Sequence, residues 1–354
     1  MGSENERDGL IRNKRNEEAY KECLENWDKV MKPLGSLGRL EGLVADLAGI
    51  YGGGSFDISR RCVLVMCADN GVARQGVCQS DSLVTKVVAG QIALGKSNIN
   101  AMARAAGADV YAVDMGMEEK SEVPSVMDLS VGKGTGDISM GPAMSFDQCM
   151  EAINNGRNLV KSLRFVGYEL FLTGEMGIGN TTTASAIASV LLRAEPAQVT
   201  GRGAGLDDER YEKKIKVIEE AIRVNRPDSD NPLDILTKLG GFDIAGMVGV
   251  YLGGMENRVP VVIDGTISLV AACLAYMIEP SSRDFMIPSH ISAEPATRLL
   301  FEKLDKHPVI DAGMRLGEGT GGVCILPLLD IALAEYNNAH RFGDTEVEQY
   351  KRFT

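Results

Sequence analysis

The chain has 354 residues, 44% of them apolar and 24% charged, the composition of a globular domain rather than of a disordered or fibrous chain. Lys and Arg number 37 against 49 Asp and Glu, and the net charge of −12 repels phosphate backbones, so nucleic acid is not an expected partner. No apolar run reaches eighteen residues and the N-terminus is charged, which predicts neither a transmembrane helix nor a signal peptide and places the chain in the cytoplasm.

In chain order, residues 1–25 are densely charged and read as a frayed start running into a helix. KPLGSLGRLEGLVADLAGIYGGG follows, with Leu40, Leu43, Leu47 and Ile50 at helical spacing and a stop at Gly52 to Gly54. CVLVMCAD, from Cys62, is an apolar run ending in an acid, the pattern of a strand buried on both faces. Similar runs recur at DVYAVDMGM, YELFLTGEMGIGN and VPVVIDGT, separated by helical segments such as DSLVTKVVAGQIALG, FDQCMEAINNGRNLVKSL and ISLVAACLAYMI. Strand alternating with helix predicts an α/β fold with an open, mostly parallel sheet, Rossmann-like and flanked by helices. Ligands in such sheets sit beyond the carboxyl ends of the strands. The C-terminal stretch is helical, so the expected division is an α/β core over 56–285 and a smaller helical subdomain built from 1–55 with 286–354.

Seven scattered cysteines without CxxC spacing predict reduced, mostly buried thiols. Three histidines leave little material for metal or triad chemistry, and neither metal nor cofactor is expected. Forty glycines, about 11% against a usual ~7%, gather in short loops where backbone approaches a ligand.

Five loops carry candidate chemistry. In FLTGEMGIGNTTTASAI a strand leads through Glu175 and glycines to Asn180 and Thr181 at a helix start, an anion site suited to phosphate or else a plain glycine turn. It is neither a P-loop nor a GxGxxG fingerprint, which argues against a nicotinamide-dependent dehydrogenase. GRGAGLDDERYEKKI reads as a capped helix with Lys213 and Lys214 in solvent. GMRLGEGTGG presents Glu318 between glycines, a general base if partly desolvated and a solvated side chain if not. In PSHISAEP the capping box is absent because Ile291 stands where a hydroxyl is needed, leaving Ser292 as a helix cap or an anion donor, the cap being favoured. CADNGVARQGVCQSDSLVT puts Asp69 and Asn70 at a strand end and Ser80 in the next loop, either within reach of a substrate or, for Asp69, capping a turn.

The strings KPLGSLGRLE, CADNGV, VDMGM, GPAMS, GEMGIGNTT, GRGAGLDD, KLGGFDIAGMVGVYLGG, VVIDG, PSHISAE and GMRLGEGTGG resemble, in order, the motifs of the nicotinate-nucleotide:dimethylbenzimidazole phosphoribosyltransferases of cobamide lower-ligand assembly, over about 32–342. The resemblance implies transfer of 5-phosphoribosyl from nicotinate mononucleotide to a benzimidazole nitrogen, with inversion and release of nicotinate. It implies Glu318 as general base, Glu175 and Lys214 beside ribose and phosphate, and a phosphate pocket from Gly177, Asn180, Thr181, Gly203 and Ser292. Ser80, Val88 and Leu316 would line the acceptor pocket. Three positions depart from the family pattern: Asn70 stands for the histidine of ADHG, Leu34 for the second proline of KPPGSLG, and Val88 aligns with a glutamine. One branch of the family acts on phenol and p-cresol as a heterodimer of homologous subunits, so the resemblance admits benzimidazole or phenolic acceptors and a homodimer or heterodimer. A non-catalytic homologous subunit is the alternative, and retention of Glu318, Glu175 and Lys214 argues against it.

Overall fold

A computed structural model describes residues 14–53 and 55–352; the charged residues 1–13 and Gly54 of the expected helix stop lie outside the described residues. Six parallel strands form one sheet in the order β3-β2-β1-β4-β5-β6. They are β1 (Arg61–Ala68), β2 (Asp109–Gly116), β3 (Met127–Asp128), β4 (Leu170–Met176), β5 (Val261–Ile263) and β6 (Met286–Pro288). The chain builds outward from β1 to β3, returns to place β4 on the other side of β1, and builds outward again. The topological switch point therefore lies between β1 and β4, where the crevice for a ligand forms in doubly wound sheets.

All eight residues of β1 are buried. Leu64 and Met66 enter one apolar cluster with Phe171 and Tyr251, while Val63 and Val65 enter another with Leu47, Ile99 and Leu326. This is why the strand reads as a continuous apolar run, and each such fully buried side chain contributes roughly 1.5–3 kcal/mol. The expected open α/β sheet is thus observed, and all of its pairings are parallel.

Helices cover both faces. On one, α5 (Phe146–Phe165) packs against α10 (Phe242–Glu256) through small residues. A Cβ at Gly249 would stand 2.0 Å from the Ile153 carbonyl oxygen, and one at Gly156 2.1 Å from that of Gly246. The glycines of GFDIAGMVGVYLGG thus serve helix packing. On the other face, α2 (Arg39–Tyr51), α4 (Asn98–Ala105) and α13 (Thr320–Asn338) meet the sheet. Asn16 caps α1 (Glu17–Lys29) by accepting from the Glu18 and Ala19 N–H groups, and α1 buries Cys23 and Trp27 against α2 and Ala332 of α13.

β6 lies past the expected boundary at residue 285, yet it pairs with β5 through Val262↔Ile287 and Ile263↔Pro288. Residues 286–288 are therefore part of the sheet, and Val323, Ile325 and Leu326 of α13 share a core with β1 and β4. All seven cysteines are free, five of them buried. No helix among the described residues is long and apolar enough to cross a membrane.

Candidate active site

A cavity of about 320 Å³ opens at the carboxyl ends of β4, β5 and β6. One wall is the start of α6 (Asn180–Leu192). Its N-cap, Gly179, has φ +95° and supplies no side chain to the first turn; the Asn180 and Thr182 N–H groups donate to the Gly177 and Gly179 carbonyls, so the helix start presents the Thr181 N–H and the positive end of its dipole to the cavity. Gly177 and Gly179 are also required by the sheet itself: a Cβ at Gly177 would stand 2.2 Å from the Ala68 carbonyl oxygen, and one at Gly179 3.0 Å from Asn70 Cβ. The turn is pinned by Asn70 N–H donating to the Ile178 carbonyl at 3.1 Å and Ile178 N–H to Thr85 Oγ1 at 3.2 Å.

Behind this wall lies Lys214 of α8 (Asp208–Asn225), wholly buried, with Nζ donating to Thr181 Oγ1 at 2.9 Å and to the Gly201 carbonyl at 3.1 Å. The expected solvent position holds for Lys213 and fails for Lys214, because Lys214, Val217, Ile218 and Ala221 form the buried face of the helix. Burial pushes the Lys214 pKa down, and the carboxylate of Glu294 opposes the shift. Gly203, at φ +53°, brings its backbone onto Thr181, where a Cβ would meet Oγ1 at 3.1 Å. Ser292 and Glu294 complete this side of the cavity. Ser292 is not a helix cap: α12 (Thr297–Leu304) starts five residues later with Ala296 at its N-cap, and Ser292 Oγ accepts from Glu294 N–H at 3.4 Å.

The opposite wall is the loop before α13. Glu318 has φ +60°, a left-handed conformation that costs a residue with a Cβ about 1–2 kcal/mol, between Gly317 at +87° and Gly319 at +90°. Asp264, at the end of β5, holds this loop: its carboxylate accepts from Gly319 N–H at 3.1 Å and from Gly322 N–H at 2.8 Å. Glu318 Oε2 accepts from Ile99 N–H at 3.4 Å. Burial raises the Glu318 pKa; the Ile99 N–H opposes the rise and Asp264 adds to it. Glu175 faces the same loop and accepts a hydrogen bond from Asn180 Nδ2. Burial pushes its pKa well up, reinforced by Asp243, Asp264 and Glu318 and opposed by Asn180. Glu318 is thus a carboxyl group held in a left-handed loop conformation and shifted toward its protonated form.

Glu318, Glu175, Gly177, Asn180, Thr181, Gly203, Ser292, Ser80 and Leu316 thus line one cavity, with Lys214 reaching it through Thr181. Val88 does not line it. On α3 (Leu83–Ala93) the wall residue is Val84, in the first turn, while Val88 stands a turn further in and packs on the apolar cluster beneath. Asp69 is also off the wall, buried and accepting from Thr85 Oγ1 at 2.6 Å and from Glu118 N–H at 2.8 Å. Asn70 is buried beside Gly177, Gly179 and Gly241, so the departure at that position lies under the loop and not on the cavity lining. PSHISAEP carried His290 and Glu294 beside Ser292, and both lie on the wall; sequence reasoning missed Asp264 and Arg315 there. The signal for Asp264 was VVIDG, an acid at a strand end followed by glycine. Among the described residues no group of three or more His, Cys, Asp or Glu is placed to hold a metal ion.

A helix start and a glycine-flanked carboxyl in left-handed conformation thus face each other across one cavity at the strand ends of a doubly wound sheet. A phosphoribosyltransferase family model matches residues 13–347, and the chain belongs to that family. It is similar to the nicotinate-nucleotide–dimethylbenzimidazole phosphoribosyltransferases of Acetivibrio thermocellus (42% identical over 338 residues, covering 94% of this chain and 96% of that one) and Ruminiclostridium cellulolyticum (42% over 336 residues, covering 95% and 96%). The crystal structure of CobT from Thermus thermophilus superposes with a TM-score of 0.88 at 32% identity, covering 94% of this chain and all of that one.

Proposed function

We propose that this phosphoribosyltransferase moves the 5-phosphoribosyl group of nicotinate mononucleotide to an aromatic cobamide lower-ligand base, a benzimidazole or a phenol, giving an α-ribotide and nicotinate. The observation that carries the reading is the meeting of the α6 start and Glu318 in one cavity. The relatives' names supply nicotinate nucleotide and a benzimidazole, and the phenol rests on the resemblance of the motifs alone.

In this reading the phosphate rests on the first turn of α6, with Ser292 and the Lys214–Thr181 pair behind it. Glu175 lies beside the ribose. The acceptor enters past Ser80, Val84 and Leu316, its nitrogen or oxygen attacks C1′ from the face opposite nicotinate, and Glu318 takes the acceptor's proton. The C1′–N bond breaks with its electron pair going to the pyridinium nitrogen, which neutralises the leaving group. No acid and no metal is required; positioning and a base suffice. The carboxylate of Asp264 also stabilises the positive charge that develops at C1′.

The enzyme works in the cytoplasm, in keeping with seven unpaired cysteines. It acts as a dimer with a second copy or a homologous subunit, for which the exposed Leu83 and Val87 on α3 offer an apolar face beside the cavity.

Incubation of the purified protein with nicotinate mononucleotide and, separately, dimethylbenzimidazole, adenine, phenol and p-cresol, with mass spectrometry of the products, tests the reading. Formation of at least one ribotide with equimolar nicotinate is expected, undiminished by EDTA. No product with any acceptor, or activity lost to EDTA and restored by metal, overturns it.

A further inference from the structure

His290 follows β6, is 3% exposed, and has no part in the steps above. Its ring lies so close over the start of α13 that a Cβ at Gly321 would stand 1.9 Å from Cε1, and it lines the cavity together with Ser292, Thr320 and Glu318. Hydrogen-bond counting fixes its tautomer. Ser289 Oγ donates to the Ile263 carbonyl at 2.5 Å, and because a carbonyl oxygen only accepts, the hydroxyl's single proton is committed there. The same Oγ lies 3.0 Å from His290 Nδ1, a contact that is a hydrogen bond only when Nδ1 carries the proton. Ser289 is wholly buried, so water does not compete for it. Burial holds the ring below its usual pKa against the opposing pull of Asp264, which keeps it neutral at pH 7. Nε2 is then a bare lone pair, and the Ser289 contact is the only hydrogen bond of the ring among the described residues.

A bare lone pair in a ligand cavity repels the oxygens of phosphate and carboxylate and accepts from O–H. On a phosphoribosyl donor the O–H groups are the 2′ and 3′ hydroxyls. We infer that His290 is a specificity-determining residue, accepting a hydrogen bond at Nε2 from one of the donor's ribose hydroxyls and so selecting ribosyl over deoxyribosyl nucleotides. The inference rests on the phosphoribosyl reading and names the residue that reads the sugar.

The test compares kcat/KM for nicotinate mononucleotide and its 2′-deoxy and 3′-deoxy forms in the wild-type enzyme, His290→Leu and His290→Gln. The wild type should lose about 10- to 100-fold with one of the deoxy donors. His290→Leu should use the ribosyl donor poorly and no longer tell it from that deoxy form, while His290→Gln, with an amide oxygen near the Nε2 position, should recover part of the discrimination. A wild type indifferent to both deoxy donors, or His290→Leu with wild-type discrimination, overturns the inference. Nitrogen-15 NMR of histidine-labelled wild-type protein reads the same point without a variant, since only three histidines are present. The expected spectrum has Nδ1 protonated, Nε2 unprotonated, and an Nε2 resonance that moves with the ribosyl donor and not with the discriminated deoxy donor; an Nε2–H tautomer, or an unmoved resonance in a donor-saturated sample, contradicts it. Failure of the wild type to turn over any ribosyl donor would remove the phosphoribosyl reading instead, which the tautomer measurement distinguishes.

Discussion

On the α6 side of the cavity the wall groups are those of the helix start, with one buried cation, Lys214, behind them, held by neutral hydrogen-bond partners, Thr181 Oγ1 and the Gly201 carbonyl. On the α13 side they are the carboxylates Glu318, Glu175 and Asp264, of which the first two are shifted upward by burial and by their neighbours. In the proposed reaction the α6 side holds a charge that stays constant and the α13 side handles a proton that moves, aimed by the loop that Asp264 fixes. A change on the α6 side should therefore act mainly on donor binding, and one on the α13 side mainly on turnover.

The largest effect is expected at Glu318. Glu318→Gln should lower kcat by two or more orders of magnitude, a range of ~10²–10⁴ for a lost general base, and leave nicotinate mononucleotide binding nearly intact in calorimetry. Because the base must be ionised and its pKa is raised, the wild-type rate should fall as pH drops through a value above the usual glutamate range, and this limb should be missing from the residual activity of the variant. Near-wild-type turnover would remove the assignment.

Lys214→Met should act on binding instead. Loss of a charge-assisted contact of about 1.5–3 kcal/mol corresponds to roughly 10- to 100-fold in KM for the mononucleotide, with a smaller change in kcat. The wild type should bind the dephosphorylated riboside much more weakly than the mononucleotide, and the variant should narrow that gap. Equal wild-type affinities would contradict a phosphate site at α6.

Two smaller effects sharpen the contrast. Val84→Gln should shift the ratio of benzimidazole to phenol turnover upward by about tenfold, by placing an amide where an apolar wall now stands, and Val88→Gln should leave the ratio unchanged. A shift at Val88 alone would reverse the placement of the acceptor. Asp243, beneath Glu175, is pushed by burial up to about 6, opposed by the Ile244 N–H and by the amides of Asn180 and Asn70. Its folded-state pKa lies above its unfolded one, so the native state binds the extra proton, and this contribution to stability is present at low pH and lost as pH rises from the ordinary aspartate range through about 6. In thermal melts between pH 4 and pH 7, Asp243→Asn should lose less stability with rising pH than the wild type does. Parallel pH dependences would show that Asp243 does not carry the shift.

What was legible in the sequence follows the same physical lines. β1, β4 and the buried second half of β2 could be read because strands buried on both faces need unbroken apolar runs. β6 could not, since three residues before Ser289 become a strand only by pairing with β5. α9 (Pro232–Leu239) did carry a signal, Asn231 as a side-chain cap followed by proline at the first helical position. The helix-start and glycine-flanked motifs exposed Asn180 and Glu318, since both depend on local backbone conformation. Asp264 reaches Gly319 and Gly322 across 55 and 58 residues of sequence, so its role exists only in the folded chain. Lys214 and Lys213 are alike as letters, and the helical period of the buried Val217, Ile218 and Ala221 is what tells them apart. Val88 lies on α3 one helical turn from the wall residue Val84, a depth that the motif pattern does not encode.

The most direct test of a cavity with a phosphate wall and a base wall is a crystal structure of the Glu318→Gln variant with nicotinate mononucleotide and an aromatic acceptor bound together. The account predicts the phosphate within hydrogen-bond distance of the first-turn amides of α6 and of Ser292, and the acceptor's protonated nitrogen or oxygen facing residue 318. A phosphate seated away from α6, or an acceptor bound out of reach of residue 318, would contradict it.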